Sequence, residues 1–267
     1  MTKTVLVTGA SSGIGKAISE VLATDDYIVY GASRKAIWGE KVNGVFQLPM
    51  DVTNEASVQM ALNFIMDQTG RLDIVINNAG LGMVGAVENT TDNEVREVFN
   101  TNVFGVLNVC RQALPILRTQ GSGHIINVTS IAGLMGLPFR GIYSASKHAV
   151  EGFSESLSQE VKAFGIKVIV IEPGDFRTNI NQNRLVASKN NSAYAQFESK
   201  VKAQINHEVE NAPHPEMIGR VISRILKKEN PRLRYKVATR FQRFSVLIRD
   251  VIPDRWFENM VMRFYKV

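Results

Sequence analysis

Over about its first 170 residues the chain alternates two hydrophobic patterns. Short, nearly continuous apolar runs recur at Thr4-Val5-Leu6-Val7-Thr8, Tyr27-Ile28-Val29-Tyr30-Gly31-Ala32, Val45-Phe46-Gln47-Leu48-Pro49-Met50, Leu72-Asp73-Ile74-Val75-Ile76, His124-Ile125-Ile126-Asn127-Val128 and Lys167-Val168-Ile169-Val170-Ile171. Their length and β-branched content read as buried strands. Between them apolar residues return every three or four positions, as at Ile14, Ala17, Ile18, Val21 and Leu22. That spacing predicts helices over 13–24, 54–69, 92–118 and 142–164. A helix near 215–229 and a strand near 234–238 follow. Strands apolar on both faces, separated by amphipathic helices, predict an α/β fold: one doubly wound parallel sheet of about seven strands with helices on both faces.

Residues 1–239 read as one domain, with no internal repeat or linker. Within it, 179–215 is polar and helix-prone, punctuated by Pro213 and Pro215, and reads as a substrate loop or irregular insertion. Residues 240–267 form a helical C-terminal extension with two apolar stripes. The first holds Phe241, Phe244, Leu247, Ile248 and Val251; the second, after Pro253, holds Trp256, Phe257, Met260, Val261 and Phe264. Arginines and a lysine flank both. Such helices either pack their apolar faces on the domain or a partner subunit, or lie on an anionic membrane.

Charge sharpens that point. Residues 1–180 hold 14 Lys/Arg against 17 Asp/Glu, a balance of −3, whereas 181–267 hold 17 against 8, a balance of +9. The positive charge belongs to the C-terminal third, and a solvated helical surface, nucleic acid, a membrane or an anionic substrate would each account for it. No nucleic-acid recognition motif accompanies it. Cys110, the single cysteine, allows no internal disulfide and reads as a small core residue in a reducing compartment. With no signal-peptide pattern at the start and no apolar run of membrane-spanning length, the expectation is a cytoplasmic protein, with peripheral membrane contact through 240–267 as the open alternative. His124, His148, His207 and His214 lack metal-ligand spacing, so no metal site is expected.

Candidate chemistry begins at Thr8-Gly9-Ala10-Ser11-Ser12-Gly13-Ile14-Gly15, between the first strand and the first helix. This is the place of a Rossmann-type phosphate loop: Gly9 for the tight turn, Gly13 for close approach of a pyrophosphate, and Gly15 for helix–strand packing. The helix N-terminus offers free N–H groups to phosphate. At the end of the second strand Ser33-Arg34 stands where an acidic residue would bind the ribose of NAD. The acid is missing. Arg34, helped by Ser33 and Ser12, suits the 2′-phosphate of NADP(H). Further on, Tyr143 and Lys147 are four residues apart on a predicted helix and share a face. Ser130 lies at the end of the fifth strand, the edge where open parallel sheets bind ligands. A tyrosine beside an ammonium can give a proton to a carbonyl oxygen that Ser130 also hydrogen-bonds.

With these motifs in order the sequence resembles the short-chain dehydrogenase/reductases to about residue 240. The matching pieces are TGASSGIG at 8–15, DV at 51–52, NNAG at 77–80, NVFG at 102–105, Ser130 with Tyr143-Ser-Ala-Ser-Lys147, and PGDFRT at 173–178. The resemblance implies an NADP(H)-dependent oxidoreductase that moves a hydride between nicotinamide and a carbonyl or alcohol. It implies Tyr143 as general acid/base, Lys147 on the nicotinamide ribose lowering the tyrosine pKa, Ser130 polarising the carbonyl, and Asn102 holding a water of a proton relay. Asn100 competes for that last role, but the Val-Phe-Gly after Asn102 fits better. It further implies that Gly9, Ser11, Ser12, Gly13, Ile14 and Gly15 hold the cofactor phosphates. Asp51 and Val52 would meet the adenine, Asn78, Ala79 and Gly80 would run along the cofactor, and Pro173, Gly174 and Phe176 would lie near the carboxamide, with Thr178 at the phosphates. The chain departs from many NADP-using members at Ser12, where they carry a basic residue; the NADP reading therefore rests on Arg34 and the missing acid. The apolar segment 133–139 is similar to that of steroid- and retinoid-handling members. Met135, Leu137 and Phe139, with Leu81 and Met83, are the candidate lining of a pocket for a bulky apolar substrate. A homodimer or homotetramer is also implied. A catalytically silent NADP-sensing module is the alternative on the same fold; the complete Asn102, Ser130, Tyr143 and Lys147 set argues against it, since a sensor needs no proton donor.

Overall fold

A computed structural model describes residues 2–178, 184–189 and 192–267. The main sheet is built from β1 (Thr4–Thr8), β2 (Ile28–Ser33), β3 (Lys41–Val42), β4 (Val45–Pro49), β5 (Ile74–Asn77), β7 (Gly123–Val128), β8 (Ile166–Pro173) and β10 (Arg234–Val237). Their order across the sheet is β10-β8-β7-β5-β1-β2-β4-β3. All pairs are parallel except β3 with β4, and this two-residue edge strand makes the sheet eight-stranded where the pattern predicts about seven. So short a strand carries no periodic signal of its own.

Successive strand residues serve opposite faces. Val5 and Val7 join Ile74, Ile76, Ile126 and Ile169 on one side, where α1 (Gly13–Thr24) and α7 (Glu216–Leu226) pack. Leu6, Val75 and Ile125 point the other way, against α2 (Glu55–Thr69), α4 (Gly105–Gln120) and α5 (Gly141–Glu160). Period-two alternation with both faces apolar is what a covered parallel sheet requires. Cys110 is buried in the second layer beside Asn77, and burial pushes its thiol up to about 12, so it stays a neutral packing group.

The helix predicted over 92–118 is two helices. The first, α3 (Asp92–Phe99), is opened by a Thr91/Glu94 capping box and runs into a π-helical turn, Asn100–Phe104, before α4. At Gly105 a Cβ would come 2.7 Å from Val52 Cγ2, so this helix passes the β4 side closely. The wide turn redirects Asn102 inward, as π-bulges at functional sites commonly do.

Part of the expected loop 179–215 lies outside the described residues, and the rest is ordered. Strand β9 (Leu185–Val186) pairs with β6 (Met83–Val84) in a small second sheet, and Ser192–Glu210 is a 19-residue helix, α6. The tail supplies α8 (Arg240–Arg249) and α9 (Asp254–Tyr265). Val246, Phe257 and Tyr265 are buried in a third apolar cluster with Met83, Met135, Leu137, Ile205 and Val209. The tail thus packs on the domain, and its second stripe does so as the sequence presents it, with Phe257 buried and Met260, Val261 and Phe264 against the same cluster; of the first stripe only Ile248 joins them. Phe241, Phe244, Leu247 and Val251 stay exposed, while the opposite face of α8 turns inward at Gln242 and Val246.

Candidate active site

The C-terminal ends of β1, β5, β7 and β8 converge on one crevice. At β1 the chain turns through Gly9, whose φ of +67° is left-handed and whose Cβ would stand 2.8 Å from Ala79 Cα. Only glycine fits both demands. A Cβ on Gly15 would collide with the Asn78 amide and the Gly9 carbonyl. The loop is tied to β5 by Thr8, whose Oγ1 accepts from the backbone N–H groups of Asn78 (3.0 Å) and Ala79 (2.9 Å). The Asn78 amide returns a bond to the Thr8 carbonyl at 2.9 Å, so this side chain braces the loop. Ser12 is the N-cap of α1, and its side chain makes no capping bond. Thr178 approaches from β8, its Cβ 3.4 Å from where a Gly13 Cβ would sit. A backbone cradle with glycine at 9, 13 and 15, at a helix N-terminus, fits a pyrophosphate.

Ser33 ends β2, and Arg34 stands exposed beyond it. Asp51 Oδ1 accepts from the Thr53 N–H (2.9 Å) and hydroxyl (2.8 Å), which fixes its carboxylate at the turn after β4. Val52 is buried, and its carbonyl accepts from Asn108 Nδ2 at 2.9 Å.

The four candidate catalytic side chains meet across α5 and the ends of β5 and β7, and all four are buried. Lys147 Nζ donates to the Val128 carbonyl at 3.0 Å and lies 5.9 Å from the centre of the Tyr143 ring. Ser130 Oγ accepts from the Ala132 N–H at 3.1 Å. Asn102 is locked by three bonds: its Oδ1 accepts from Leu81 N at 2.7 Å, and its Nδ2 donates to Leu81 O at 2.9 Å and to Ser146 Oγ at 3.0 Å. A Cβ on Gly80 would lie 3.2 Å from Asn102 Oδ1 and 3.6 Å from Lys147 Nζ, so that glycine lets the asparagine and lysine approach from either side. The Asn100 carbonyl accepts from Gly105 N within the π turn.

Beside Tyr143 opens a cavity. Met83, Met135 and Leu137 line it, with Ile14, Pro173, Gly174, Phe176 and Thr178, which the sequence assigns to cofactor binding. Leu81 and Phe139 are not in its lining. Leu81 is held by Asn102, and Phe139, at φ +58°, turns its carbonyl to Gly85 N (2.8 Å) and its ring edge-on to Tyr194. Sequence reasoning missed half the wall. Ile205 and Val209 come from α6, and Phe241, Gln242, Met260, Phe264 and Tyr265 from the tail. It also missed Arg140, Asp175 and Arg184. Asp175 was in view inside PGDFRT, and Arg140 precedes Tyr143 by one helical turn; Arg184 carries no local signal.

Gln242 joins two of these features. It closes the Thr239 capping box of α8 and donates to Asp175 Oδ2 at 2.6 Å. Burial pushes the Asp175 carboxyl above the usual carboxylate range, against the pull of Arg140 and the Gln242 bond. Burial also lowers Arg184, and the positive charge of Arg140 adds to that, with Asp175 opposing. Arg140 faces a burial cost too, outweighed by Tyr143, Tyr265 and Asp175.

A phosphate cradle at a strand–helix turn, beside a tyrosine, a lysine, a serine and an asparagine at the sheet edge, defines a nucleotide-dependent oxidoreductase. Residues 3–189 match the family model of the short chain dehydrogenases, and the chain belongs to that family. It is 42% identical over 265 residues, 98% of both chains, to a 3-ketodihydrosphingosine reductase of Bacteroides thetaiotaomicron. Among solved structures it superposes on a short-chain dehydrogenase/reductase of Burkholderia phymatum in complex with NAD, with TM-score 0.79, 25% identity and 93% of each chain covered. It also superposes on ElxO with NADP bound, with TM-score 0.73, 27% identity, and 89% of this chain and 98% of that one covered. No described helix is long and apolar enough to cross a membrane.

Proposed function

We propose that the protein uses NADPH to reduce a ketone carried by a bulky, lipid-like molecule. The observation that carries this reading is the aliphatic cavity that converges on Tyr143 and Ser130. When bound, the dinucleotide supplies the hydride. Tyr143 gives its phenolic proton to the carbonyl oxygen as negative charge develops there, and Ser130 Oγ hydrogen-bonds the same oxygen. Lys147, anchored to β7, holds positive charge beside the phenol. Asn102 keeps the wall behind Lys147 rigid. Asn102, Ser130, Tyr143 and Lys147 are buried, and the lower local dielectric strengthens each of these interactions. Support for a long-chain keto substrate also comes from the relative named for 3-ketodihydrosphingosine.

Preference for NADPH rests on Arg34, an exposed guanidinium at the end of β2 with no acidic residue beside it. The tail extends the reading: Phe241, Phe244 and Leu247, outward on α8 and flanked by Arg240 and Arg243, support peripheral contact with an anionic bilayer.

The test is loss of NADPH absorbance against carbonyls graded from small aldehydes to long-chain 3-ketones. Turnover rising with chain length is expected. Turnover confined to small polar carbonyls would sink the lipid-like substrate.

A further inference from the structure

An aliphatic cavity for a ketone needs no ionic groups beyond the reacting centre, yet this one has two guanidinium groups and a carboxylate in its wall: Arg140, Arg184 and Asp175. Their arrangement leaves a surplus. Asp175 is already bound by Gln242 at 2.6 Å. Arg140 lies with Cζ 4.8 Å from the centre of the Tyr143 ring and bonds Tyr265. Among the described residues neither arginine forms a direct ion pair with a carboxylate. One aspartate offsets one arginine, so the wall carries one net positive charge. Burial and the charge of Arg140 both work against the ionisation of Arg184, while Arg140 itself is held charged by Tyr143, Tyr265 and Asp175. An arrangement of this kind is costly when empty of counter-charge and favourable when a ligand brings one. A guanidinium is a planar fork of donors that matches carboxylate, phosphate and sulfonate.

We propose that Arg140 and Arg184 form a subsite for a monoanionic group on an amphiphilic substrate, whose hydrocarbon chain fills the aliphatic cavity. Arg140 lies against the ring of the proton donor, so the anionic group sits within a few bonds of the reacting carbonyl. The placement of that carbonyl rests on the ketone-reductase reading above; the subsite itself does not need turnover.

Calorimetric titration of the full chain with saturating dinucleotide tests it, using decane-1-sulfonate, decan-1-ol, decylammonium and methanesulfonate below their micelle concentrations. Decane-1-sulfonate should bind at least about tenfold more tightly than the other three, the size of one charge-assisted hydrogen bond. Arg140→Gln and Arg184→Gln should each remove that preference. Asp175→Asn, which deletes the competing negative charge, should strengthen sulfonate binding, a gain that no misfolded variant would give. Equal affinity for the three decyl probes would overturn the proposal. So would tightest binding of decylammonium, which would make Asp175 the receptor, or methanesulfonate binding as well as its long-chain counterpart. A sulfonate preference that survives in both arginine variants would do the same. Failure to reduce any ketone would refute the reductase reading and leave these binding results standing.

Discussion

The ammonium nitrogen of Lys147 donates to the carbonyl oxygen of Val128, the last residue of β7, at 3.0 Å. A strand end therefore fixes the lysine, and α5 carries Tyr143 one turn before it on the same face. The pair is positioned by the scaffold and not by a mobile loop. Tyr143→Phe removes the one hydroxyl of the pair that faces the cavity, the proton donor of the proposed reaction, and leaves this scaffold intact. Turnover should fall by about a thousandfold, within the range of general acid catalysis. Dinucleotide affinity, measured by fluorescence titration, should stay close to the parent's. Near-parent turnover in this variant would remove Tyr143 from the chemistry.

Cofactor preference is tested separately, at Arg34. It is exposed at the end of β2, away from the catalytic pair, so changing it should spare the chemistry. Arg34→Asp replaces a cation suited to a 2′-phosphate by an anion suited to a ribose diol. The ratio of kcat/KM for NADPH over NADH should drop by about tenfold or more, the value of one charge-assisted hydrogen bond. An unchanged ratio would mean that another group reads the phosphate.

Much of this site was legible because its signals are local. The glycine loop, Ser130, and Tyr143 with Lys147 each sit within one strand–turn or one helical turn, where spacing alone fixes their side of the sheet. The π turn at Asn100–Phe104 was not legible, since apolar periodicity runs through it from α3 into α4. Arg140, Asp175 and Arg184 meet only through tertiary packing of β8, α5 and the segment before β9. The tail shows the limit of periodicity. A stripe of Phe241, Phe244 and Leu247 predicts one apolar face on α8, but the domain takes the face with Gln242, which bonds Asp175, and Val246, which joins the third apolar cluster; both partners are distant in sequence.

Glu172 makes stability depend on pH. It is fully buried in β8, neither carboxylate oxygen has a hydrogen-bond partner, and Arg234 and Lys236 approach only to 3.8 and 4.0 Å. Burial, with Glu151 adding to it, pushes its carboxyl up to about 7 from an ordinary 4.5. Below the ordinary value both folded and unfolded chains hold the proton, and burial of the neutral acid is unpenalised. Between the two values the folded chain retains a proton the unfolded chain has lost, so this group's contribution falls as pH rises and is lost above about 7. Glu172→Gln mimics the neutral acid. It should nearly match the parent near pH 4.5 and exceed it by about 3 kcal/mol near pH 8, from the size of the shift. Urea denaturation at several pH values reads this directly; a constant difference across the range would contradict it.

The outward face of α8 gives the last test. Phe241, Phe244 and Leu247 are about 60% exposed, and Phe241 both lines the cavity and stacks on Phe264 at 5.8 Å between ring centres. The cavity therefore borders the surface that would meet a bilayer. Arginines beside these side chains add attraction to anionic headgroups, which salt screens. The protein should sediment with phosphatidylglycerol-containing vesicles, more weakly with pure phosphatidylcholine, and less in high salt. Phe244→Ser with Leu247→Ser removes two exposed side chains that the fold does not use. Burying such side chains is worth about 1.5–3 kcal/mol each, so vesicle affinity should fall by at least about tenfold with thermal stability unchanged. Turnover of a short, soluble ketone should be retained, while turnover of a long-chain ketone presented in vesicles should drop. Equal vesicle binding by parent and double variant would show that the stripe is only solvated surface, and the substrate would then have to reach Tyr143 from water.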